Sequence, residues 1–151
     1  MSHSTEDRYV GPGRTVLDAG ELLVAVHVPR PAARTADAYL RLIPRTEMDI
    51  AVAGAAVSLT LDAAGVCTAA RVAIGAVAPT ALRVPEAEQA LVGSRLDVTA
   101  LRRAGEAAAA AARPIDDKRG TAAYRRTVAG VLTRRAAAIA AQRARQGNGH
   151  G

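Results

Sequence analysis

The side chains that most often carry out chemistry in proteins are few and widely separated in this sequence. It contains three histidines, His3, His27 and His150, and one cysteine, Cys67. They provide no metal-ligand spacing and no iron–sulfur ligand set, and no Ser/His/Asp or Cys/His arrangement can be assembled from them. Cys67 lies in an apolar, Ala-rich run and is interpreted as a small buried hydrophobic residue. The residues alone therefore predict no complete active site.

Two short motifs have structural interpretations. The segment 11–14, Gly-Pro-Gly-Arg, resembles part of a phosphate-binding loop. It lacks the Lys-Ser/Thr pair and the strand-to-helix context of such a loop, so a turn is predicted. Asp116 and Asp117 are adjacent carboxylates between two predicted helices, which is typical of a solvated loop or a helix N-cap. Neither motif predicts catalysis.

The composition indicates a single small domain with an unusual core. The chain has 151 residues, of which 50% are hydrophobic, but it contains no Phe, no Trp and only three Tyr. Ala, Val, Leu and Ile must therefore fill the core, and each of them buries only a modest area. We expect such a domain to gain stability by docking onto another protein surface.

The positive charge admits two interpretations. The formal net charge is +6, the sequence pI is about 10.6, and Lys118 is the only lysine, so nearly all basic residues are arginines. A nucleic-acid binder that uses the Arg-rich C-terminal helix is one alternative. A solvated, Arg-biased surface is favoured, because aromatic side chains that could stack on bases are nearly absent and the basic residues are dispersed until the C-terminal tail. We therefore expect no nucleic-acid partner.

The sequence contains no apolar segment of the kind that directs export or spans a membrane. Its start is polar and acidic and lacks the apolar stretch of a secretion signal. No apolar run approaches the ~20 residues that a transmembrane helix requires. We therefore expect a cytoplasmic protein without a membrane partner.

The first half of the sequence is typical of β-strands. Apolar and polar residues alternate strictly over 57–61, and the tight turn 62–65 connects this run to a return strand in a predicted hairpin. An earlier β-rich run is apolar on one face, and His27 is predicted to face solvent on the other. The predicted strands are 22–28, 38–43, 57–61 and 66–77.

The second half changes to helical periodicity. Pro85 is suited to the first turn of a helix over 86–92. Asp97 or Thr99 can cap a second helix, and Thr121 opens a third. Strands followed by helices predict an α+β fold, in which a small antiparallel sheet has a helical cluster on one side.

Several blocks of the sequence together resemble a known family. They are 38–53, 71–79 and 119–126, and the segment 11–17 followed by 20–23 resembles the junction that precedes them. In this order the blocks are similar to the C-terminal domain of the flavoprotein (medium) subunit of the carbon monoxide dehydrogenase and xanthine dehydrogenase family of molybdenum hydroxylases. The resemblance covers nearly the whole chain, and three blocks in order are more specific than any one of them.

The resemblance implies an α+β fold with a three-stranded antiparallel sheet followed by a three-helix bundle. It divides the chain into a tail and remnant of the FAD-domain junction (1–20), the C-terminal-like domain (21–142) and a disordered tail (143–151). It also implies that the domain packs on an FAD-binding domain and supports electron transfer from iron–sulfur clusters through FAD to an acceptor. The chain would then be part of a multisubunit oxidoreductase and not catalytic alone.

The resemblance further implies which residues lie near the isoalloxazine ring of FAD. They are Tyr39, Leu40, Arg41, Arg45 and Asp49. Tyr39 would stack on or cover the flavin, and Arg41 or Arg45 would steady its anionic reduced form. The Gly-rich segments that hold the FAD pyrophosphate lie upstream in the family. This chain alone is therefore expected to bind FAD weakly or not at all.

The partners that the resemblance implies are an FAD-binding domain, an iron–sulfur small subunit and a molybdopterin large subunit. Molybdopterin and the iron–sulfur clusters would lie only in those partner subunits. One alternative stays open, which is a free-standing protein-interaction module that kept the fold without the flavin function. Neighbouring genes for molybdopterin, ferredoxin-like and FAD-domain proteins would favour the enzyme.

Overall fold

The order of the elements, strands first and helices last, confirms the predicted α+β class. The structure is a computed structural model and describes residues 9–45 and 49–146. In chain order its elements are β1 (Tyr9–Gly11), β2 (Arg14–Thr15), β3 (Thr35–Leu42), β4 (Ala53–Leu61), β5 (Cys67–Gly75), β6 (Leu82–Arg83), α1 (Pro85–Leu91), α2 (Val98–Ala111) and α3 (Ala122–Gln146).

Strands β3 to β6 form one antiparallel sheet in the order β3-β4-β5-β6, and β1 pairs with β2 in a separate two-stranded sheet. The predicted three-stranded sheet is therefore wrong. The additional strand is β6, whose two residues pair with Ala73 and Ile74 of β5. A run of two residues is too short to show an alternating pattern, so periodicity could not reveal this strand.

The predicted strand over 22–28 is also wrong. This segment belongs to no strand or helix, and its apolar side chains, including Leu22 and Val24, are exposed. His27 is exposed as predicted, although not on a strand. An apolar, β-rich run becomes a strand only where a neighbouring strand supplies hydrogen-bond partners, and the described residues supply none.

The two faces of the four-stranded sheet differ. Alternate side chains of β3, β4 and β5 are buried and form the apolar core with the helices. The buried core residues of these strands are Ala38, Ala53, Ala55, Val57, Leu59, Leu61, Cys67, Val72 and Ile74. The burial of Cys67 confirms its predicted place in the core and raises the pKa of its thiol. On the opposite face, side chains such as Tyr39 and Arg71 are exposed.

Helix α3 lies across β3 and β4, α1 packs on β5, and α2 contacts both other helices. Alanines dominate the buried face of α3, which lets the helix approach the sheet closely. Helices α2 and α3 meet at Gly105 and Gly130, where a Cβ atom on either glycine would lie 2.7 Å from the carbonyl oxygen of the other. The Ala- and Gly-rich composition is therefore what brings these elements together.

Two predicted caps are confirmed. Asp97 accepts a hydrogen bond from the backbone N–H of Ala100 at the start of α2 (2.8 Å), and Thr121 accepts one from Tyr124 at the start of α3 (3.2 Å). Each side chain pairs with a backbone donor that has no acceptor within its own helix. Local side-chain chemistry thus fixes where these two helices begin.

Helix α3 extends into the segment for which the sequence predicts a disordered tail, 143–151. Residues 143–146 are helical, and 147–151 lie outside the described residues. Arg143 and Arg145 donate hydrogen bonds to backbone carbonyl oxygens of β3 and of the loop between α1 and α2, at 2.7 and 2.9 Å. These contacts with distant parts of the chain hold the last turn in place.

Candidate functional site

An open groove of about 520 Å³ lies over the exposed face of the sheet. Its floor includes two small side chains that pair across strands, Ala56 of β4 and Ala73 of β5. Tyr39 of β3 lines one side, and Arg71 and Arg83 line another part. We call this surface the sheet groove. A flat apolar floor with aromatic and cationic side chains at its edges suits a planar, aromatic, negatively charged ligand.

Tyr39 is the aromatic residue of the sheet groove, and a glycine determines how its ring lies. The side chain is 62% exposed. A Cβ atom at Gly54 of β4 would lie 2.9 Å from the Tyr39 hydroxyl oxygen and 3.3 Å from its Cε2 atom. Any larger residue at position 54 would displace the ring. The Tyr39 ring therefore lies against the sheet and remains accessible from outside.

The three consecutive predicted site residues of β3 do not share one face. Tyr39 and Arg41 are exposed on the face of the sheet groove, whereas Leu40 is half-buried and packs against the apolar core. This separation follows from the alternation of side chains along a strand. Tyr39 and Arg41 can thus contact a common ligand, and the Leu40 side chain lies on the other side of the sheet.

The other two predicted site residues are in direct contact. Arg45 Nε donates to Asp49 Oδ2 at 3.2 Å, and Asp49 Oδ1 accepts the backbone N–H of Ile50 at 2.8 Å. The Arg45 side chain is mostly exposed, whereas that of Asp49 is largely buried. Residues 46–48 of the same predicted loop lie outside the described residues. The Asp49 carboxylate is therefore a fixed point beside the start of β4.

A series of ion pairs connects Asp49 to helix α3. Arg119 Nε lies 3.9 Å from Asp49 Oδ1, and Arg119 Nη1 lies 3.3 Å from Asp117 Oδ2. Asp117 also pairs with Arg125 of α3. We call these four residues the ion-pair chain. It joins the loop before β4, the loop between α2 and α3, and α3 itself.

Arg125 is the buried end of the ion-pair chain. Its Nη1 atom donates to the backbone carbonyl oxygens of Val52 at 3.3 Å and Ala76 at 3.4 Å. Sequence reasoning missed this role, because it interpreted the arginines as a solvated, Arg-biased surface. The available signal is that Arg125 lies in the block 119–126, which contributes to the family resemblance.

Both carboxyl groups of the ion-pair chain have lowered pKa values. Burial raises the pKa of Asp49, but hydrogen bonds from Arg45 and a backbone amide, with the charges of Arg45 and Arg119, outweigh it. For Asp117 the hydrogen bond from Arg125 is the largest cause of the lowered pKa. Both groups are ionised at neutral pH. They are therefore structural anions and not proton donors in neutral solution.

A further buried carboxylate fastens the edge of the sheet groove to α1. Glu88 Oε1 accepts hydrogen bonds from the Val72 backbone N–H at 3.0 Å and from Arg83 Nε at 2.8 Å, and Oε2 accepts from Arg83 Nη2 at 3.0 Å. Burial raises the pKa of Glu88, yet these donors and their charge hold it below its ordinary value. Glu88 thus fixes Arg83 at the groove. Sequence reasoning missed it, because a glutamate in a short helix resembles any surface residue.

Metal-binding clusters and membrane-spanning helices are both absent from residues 9–45 and 49–146. No group of three or more His, Cys, Asp or Glu side chains there could hold a metal ion. No helix in these ranges has the length and apolar character needed to cross a bilayer.

A family comparison identifies the fold. Residues 38–140 match the family model for the CO dehydrogenase flavoprotein C-terminal domain. The chain belongs to this family. The matched range contains the floor of the sheet groove, its Tyr39 and all four residues of the ion-pair chain. The resemblance that the sequence blocks indicated is therefore confirmed.

Curated relatives agree with this assignment. The chain is 41% identical over 142 residues to the carbon monoxide dehydrogenase medium chain of Afipia carboxidovorans, a match that covers 94% of this chain and 49% of the relative. It is 36% identical over 126 residues to the 6-hydroxypseudooxynicotine dehydrogenase complex subunit alpha of Paenarthrobacter nicotinovorans, covering 83% and 42% of the two chains. The chain thus spans about half the length of these relatives.

Solved structures share the fold. Reconstituted CO dehydrogenase from Oligotropha carboxidovorans aligns with a TM-score of 0.85 at 40% identity, over 91% of this chain and 48% of that chain. Quinoline 2-oxidoreductase from Pseudomonas putida 86 aligns with a TM-score of 0.82 at 34% identity, over 91% and 47%. The arrangement of sheet and helices is therefore that of flavoprotein family members.

Proposed function

We propose that this chain is the C-terminal part of a molybdenum-hydroxylase flavoprotein subunit. In this role it packs on an FAD-binding domain and supports electron transfer from iron–sulfur clusters through FAD to an acceptor. Its partners are then the FAD-binding domain, an iron–sulfur small subunit and a molybdopterin large subunit. The observation that carries the proposal is the match of 142 residues at 41% identity to a carbon monoxide dehydrogenase medium chain.

The exposed face of the sheet has the properties that an isoalloxazine ring requires. The ring system is planar and mostly apolar, and the groove floor at Ala56 and Ala73 is flat and apolar. Tyr39 lies against this face with its ring accessible, and Arg41 extends from the same face. Bound FAD would supply reversible electron acceptance. In the proposal Tyr39 covers one part of the ring, and Arg41 places positive charge beside it.

Arg45, Asp49 and Leu40 have supporting roles in the proposal. Asp49 holds Arg45 at 3.2 Å, so the Arg45 charge near the ring is partly balanced. The ion-pair chain fixes Asp49 and through it the start of β4. Leu40 anchors β3 to the core from the opposite face. We therefore expect Arg41 to influence the flavin more than Arg45 does.

The test is reconstitution with a flavin-binding partner. The full chain would be co-expressed with the part of the Afipia carboxidovorans medium chain that it does not cover, and the purified complex would be analysed for FAD. We expect retained FAD whose fluorescence is quenched by the Tyr39 ring. Tyr39→Leu should raise the fluorescence, and Gly54→Ala should raise it in part, since the added Cβ displaces the ring.

The effect of the Arg41 charge is tested separately from the stacking of Tyr39. Arg41→Gln should make the bound flavin harder to reduce, which a titration of its reduction potential measures. Arg103→Gln is the matched control, because Arg103 is an exposed arginine of α2, away from the sheet groove. Equal flavin reduction potentials in the two variants would show that Arg41 does not contribute to the flavin site. Low-micromolar binding of FAD by the isolated chain would show that the flavin site is misplaced.

A further inference from the structure

Another cavity, of about 440 Å³, lies at the end of the sheet where β3 begins and the hairpin of β4 and β5 turns. Three arginines from distant parts of the chain line it: Arg34 before β3, Arg95 between α1 and α2, and Arg145 in the last turn of α3. Residues 62–65 of the hairpin turn also line it. We call this cavity the arginine pocket.

The arginine pocket is separate from the site proposed for the flavin ring. At its end of the sheet Thr35 pairs with Thr60, whereas Arg41 pairs with Gly54 near the opposite end. The six residues from Thr35 to Arg41 span about 20 Å of extended strand. A ligand in the arginine pocket therefore needs no flavin, and the inference drawn below does not depend on the proposed function.

The three guanidinium groups are not neutralised by their neighbours. In the part of the chain that the structure describes, no carboxylate lies within ion-pair distance of any of them. The acidic residue that lines the pocket is Asp62, whose Oδ1 atom accepts the backbone N–H groups of Ala64 (2.9 Å) and Val66 (2.8 Å). Three positive charges and one negative charge give the lining a formal charge of +2. The pocket therefore attracts anions.

Backbone contacts hold the arginines in place. The Arg34 carbonyl oxygen accepts the N–H of Leu61 at 3.0 Å, and Arg145 Nη2 donates to the Arg95 carbonyl oxygen at 2.9 Å. Among the described residues, the guanidinium groups of Arg34 and Arg95 take part in no hydrogen bond. A guanidinium group has five N–H donors, so Arg145 also keeps donors beyond the one it uses. The pocket thus presents unused donors from three fixed positions.

The backbone is strained beside two of these arginines. Arg34 has a φ of 56°, and Leu96, which follows Arg95, has a φ of 57°. Left-handed conformations are unfavourable for large side chains. The N–H of Leu96 donates to Ser94 Oγ at 3.1 Å, which helps to hold this conformation. Such strain is concentrated at ligand-binding sites, where the surrounding structure maintains it. Its occurrence in both loops supports a binding function for the pocket.

We propose that the arginine pocket binds an oxyanion of the phosphate class, either inorganic phosphate or pyrophosphate, or the phosphate end of a small organic phosphate. Guanidinium groups bind phosphate oxygens through pairs of parallel hydrogen bonds, and several of them together match a multiply charged anion. No aromatic side chain lines the pocket, so it offers a nucleic-acid base no stacking surface. The phosphate group itself is therefore the part that is recognised.

A titration followed by nuclear magnetic resonance tests the site directly. The isotope-labelled full chain would receive pyrophosphate, phosphate or acetate at constant ionic strength, and the backbone amide shifts would be measured. We expect saturable shifts at Arg34, at 62–65 and at Arg95, with the highest affinity for pyrophosphate and no saturation by acetate in the same range. Shifts of similar size at all exposed arginines, without saturation, would show general screening of charge and would overturn the proposal.

Adenosine diphosphate distinguishes the two sources of the anion. An affinity equal to that of pyrophosphate would support the phosphate end of an organic molecule, because the pocket is open and leaves room for the attached group. Binding that is weaker by about tenfold or more would support the free inorganic anion, since the attached group then hinders entry. Displacement of pyrophosphate by duplex DNA at ~0.2 M salt would identify a nucleic-acid surface instead and would overturn the proposal.

Variants assign the binding to the named arginines. Arg34→Gln and Arg95→Gln should each weaken pyrophosphate binding by at least about fivefold, and Arg95→Lys should recover only part of it, because lysine lacks the planar fork. Arg135→Gln is the matched control, since Arg135 is an exposed arginine of α3 that does not line the pocket. Melting temperatures equal to the wild type would show that the variants fold. If Arg34→Gln and Arg95→Gln bind pyrophosphate as Arg135→Gln does, the pocket is not the site.

Discussion

Two regions, residues 35–45 with 49–146 and residues 9–34, contain similar fractions of apolar residues but bury them to very different extents. In the first region the sheet and three helices bury Val57, Leu59 and Ile74 almost completely. In the second region Leu22 and Val24 are almost fully exposed, although their residue types are as favourable for a strand. Apolar alternation therefore specifies what a segment can bury, and the presence of a partner surface decides whether it does so.

The two regions also differ in how their backbone N–H and carbonyl groups are hydrogen-bonded. In the region 35–45 and 49–146, side chains satisfy backbone groups that lack a strand partner. Arg125 donates to the carbonyl oxygens of Val52 and Ala76, which flank β4 and β5, and Glu88 accepts from the N–H of Val72 within β5. The segment 22–28 has no such supplement among the described residues. We therefore expect substitutions in the first region to change the stability of the isolated chain and those in the second region to change only its association.

The largest effect is expected at Arg125. Arg125→Met keeps a long, unbranched side chain but removes the donor to two backbone carbonyl oxygens. We expect a loss of about 3 kcal/mol in the free energy of unfolding, measured by urea denaturation. Arg126→Met is the control, because Arg126 is exposed and makes one long hydrogen bond to Ala112. Equal losses in the two variants would show that burial of Arg125 contributes nothing.

A smaller effect is expected where α2 meets α3. Gly130→Ala places a Cβ atom 2.7 Å from the Gly105 carbonyl oxygen, so the helices must separate. The strain outweighs the gain of about 1 kcal/mol in helix propensity, and the net loss should be about 1–2 kcal/mol. Gly11→Ala is the control and should melt like the wild type, because the added Cβ atom would meet no other atom within 4 Å. A melting temperature for Gly130→Ala at or above the wild type would contradict this account of the contact.

A still smaller effect is expected in the pH dependence of the melting temperature at acidic pH. The folded pKa values of Asp49, Glu88 and Asp117 lie below the ordinary values of 3.8 and 4.5. Their stabilisation is therefore complete above about pH 4.5 and is lost as the pH falls through the lower folded values. The melting temperature should be constant from pH 7 to pH 5 and fall below that range. A maximum near pH 3 would contradict the assigned shifts, and Glu88→Gln should reduce the slope.

The sequence predicted local structure where a single residue has a well-defined structural role, such as capping a helix or forming a turn. Asp97 and Thr121 cap helices, and the turn at Asp62 to Gly65 closes a hairpin in which Gly65 has a φ of 79°. It could not predict β6, which has two residues, or that 22–28 forms no strand, because none of the described strands pairs with this segment. A local pattern shows that a segment is suited to a strand, but it does not show whether a pairing strand is present.

The sequence led to a prediction of which residues form the candidate site, but not of their geometry. The resemblance selected Tyr39, Leu40, Arg41, Arg45 and Asp49. Strand alternation alone separates Leu40 from its neighbours, and this could have been deduced. The contact of Gly54 with the Tyr39 ring and the pairing of Arg119 with Asp49 depend on register and on loops far apart in sequence. Such contacts become visible only when the strands are aligned.

The smallest expected effect provides the sharpest test of the comparison between the two regions. The triple variant Leu22→Ser, Val24→Ser and Val26→Ser removes three large apolar side chains, all exposed in the isolated chain. Its free energy of unfolding in urea should lie within about 0.5 kcal/mol of the wild type, because these side chains lose no contact on unfolding. The single variant Val57→Ser, in the buried face of β4, should lose about 2 kcal/mol or more. If the triple variant were destabilised as much as Val57→Ser, the segment would already be packed in the isolated chain. The contrast between a buried core in the sheet and helices and an exposed apolar segment at 22–28 would then be wrong. If the triple variant unfolds like the wild type yet fails to bind the flavin-binding partner, apolar residues that contribute nothing to the fold contribute to the assembly.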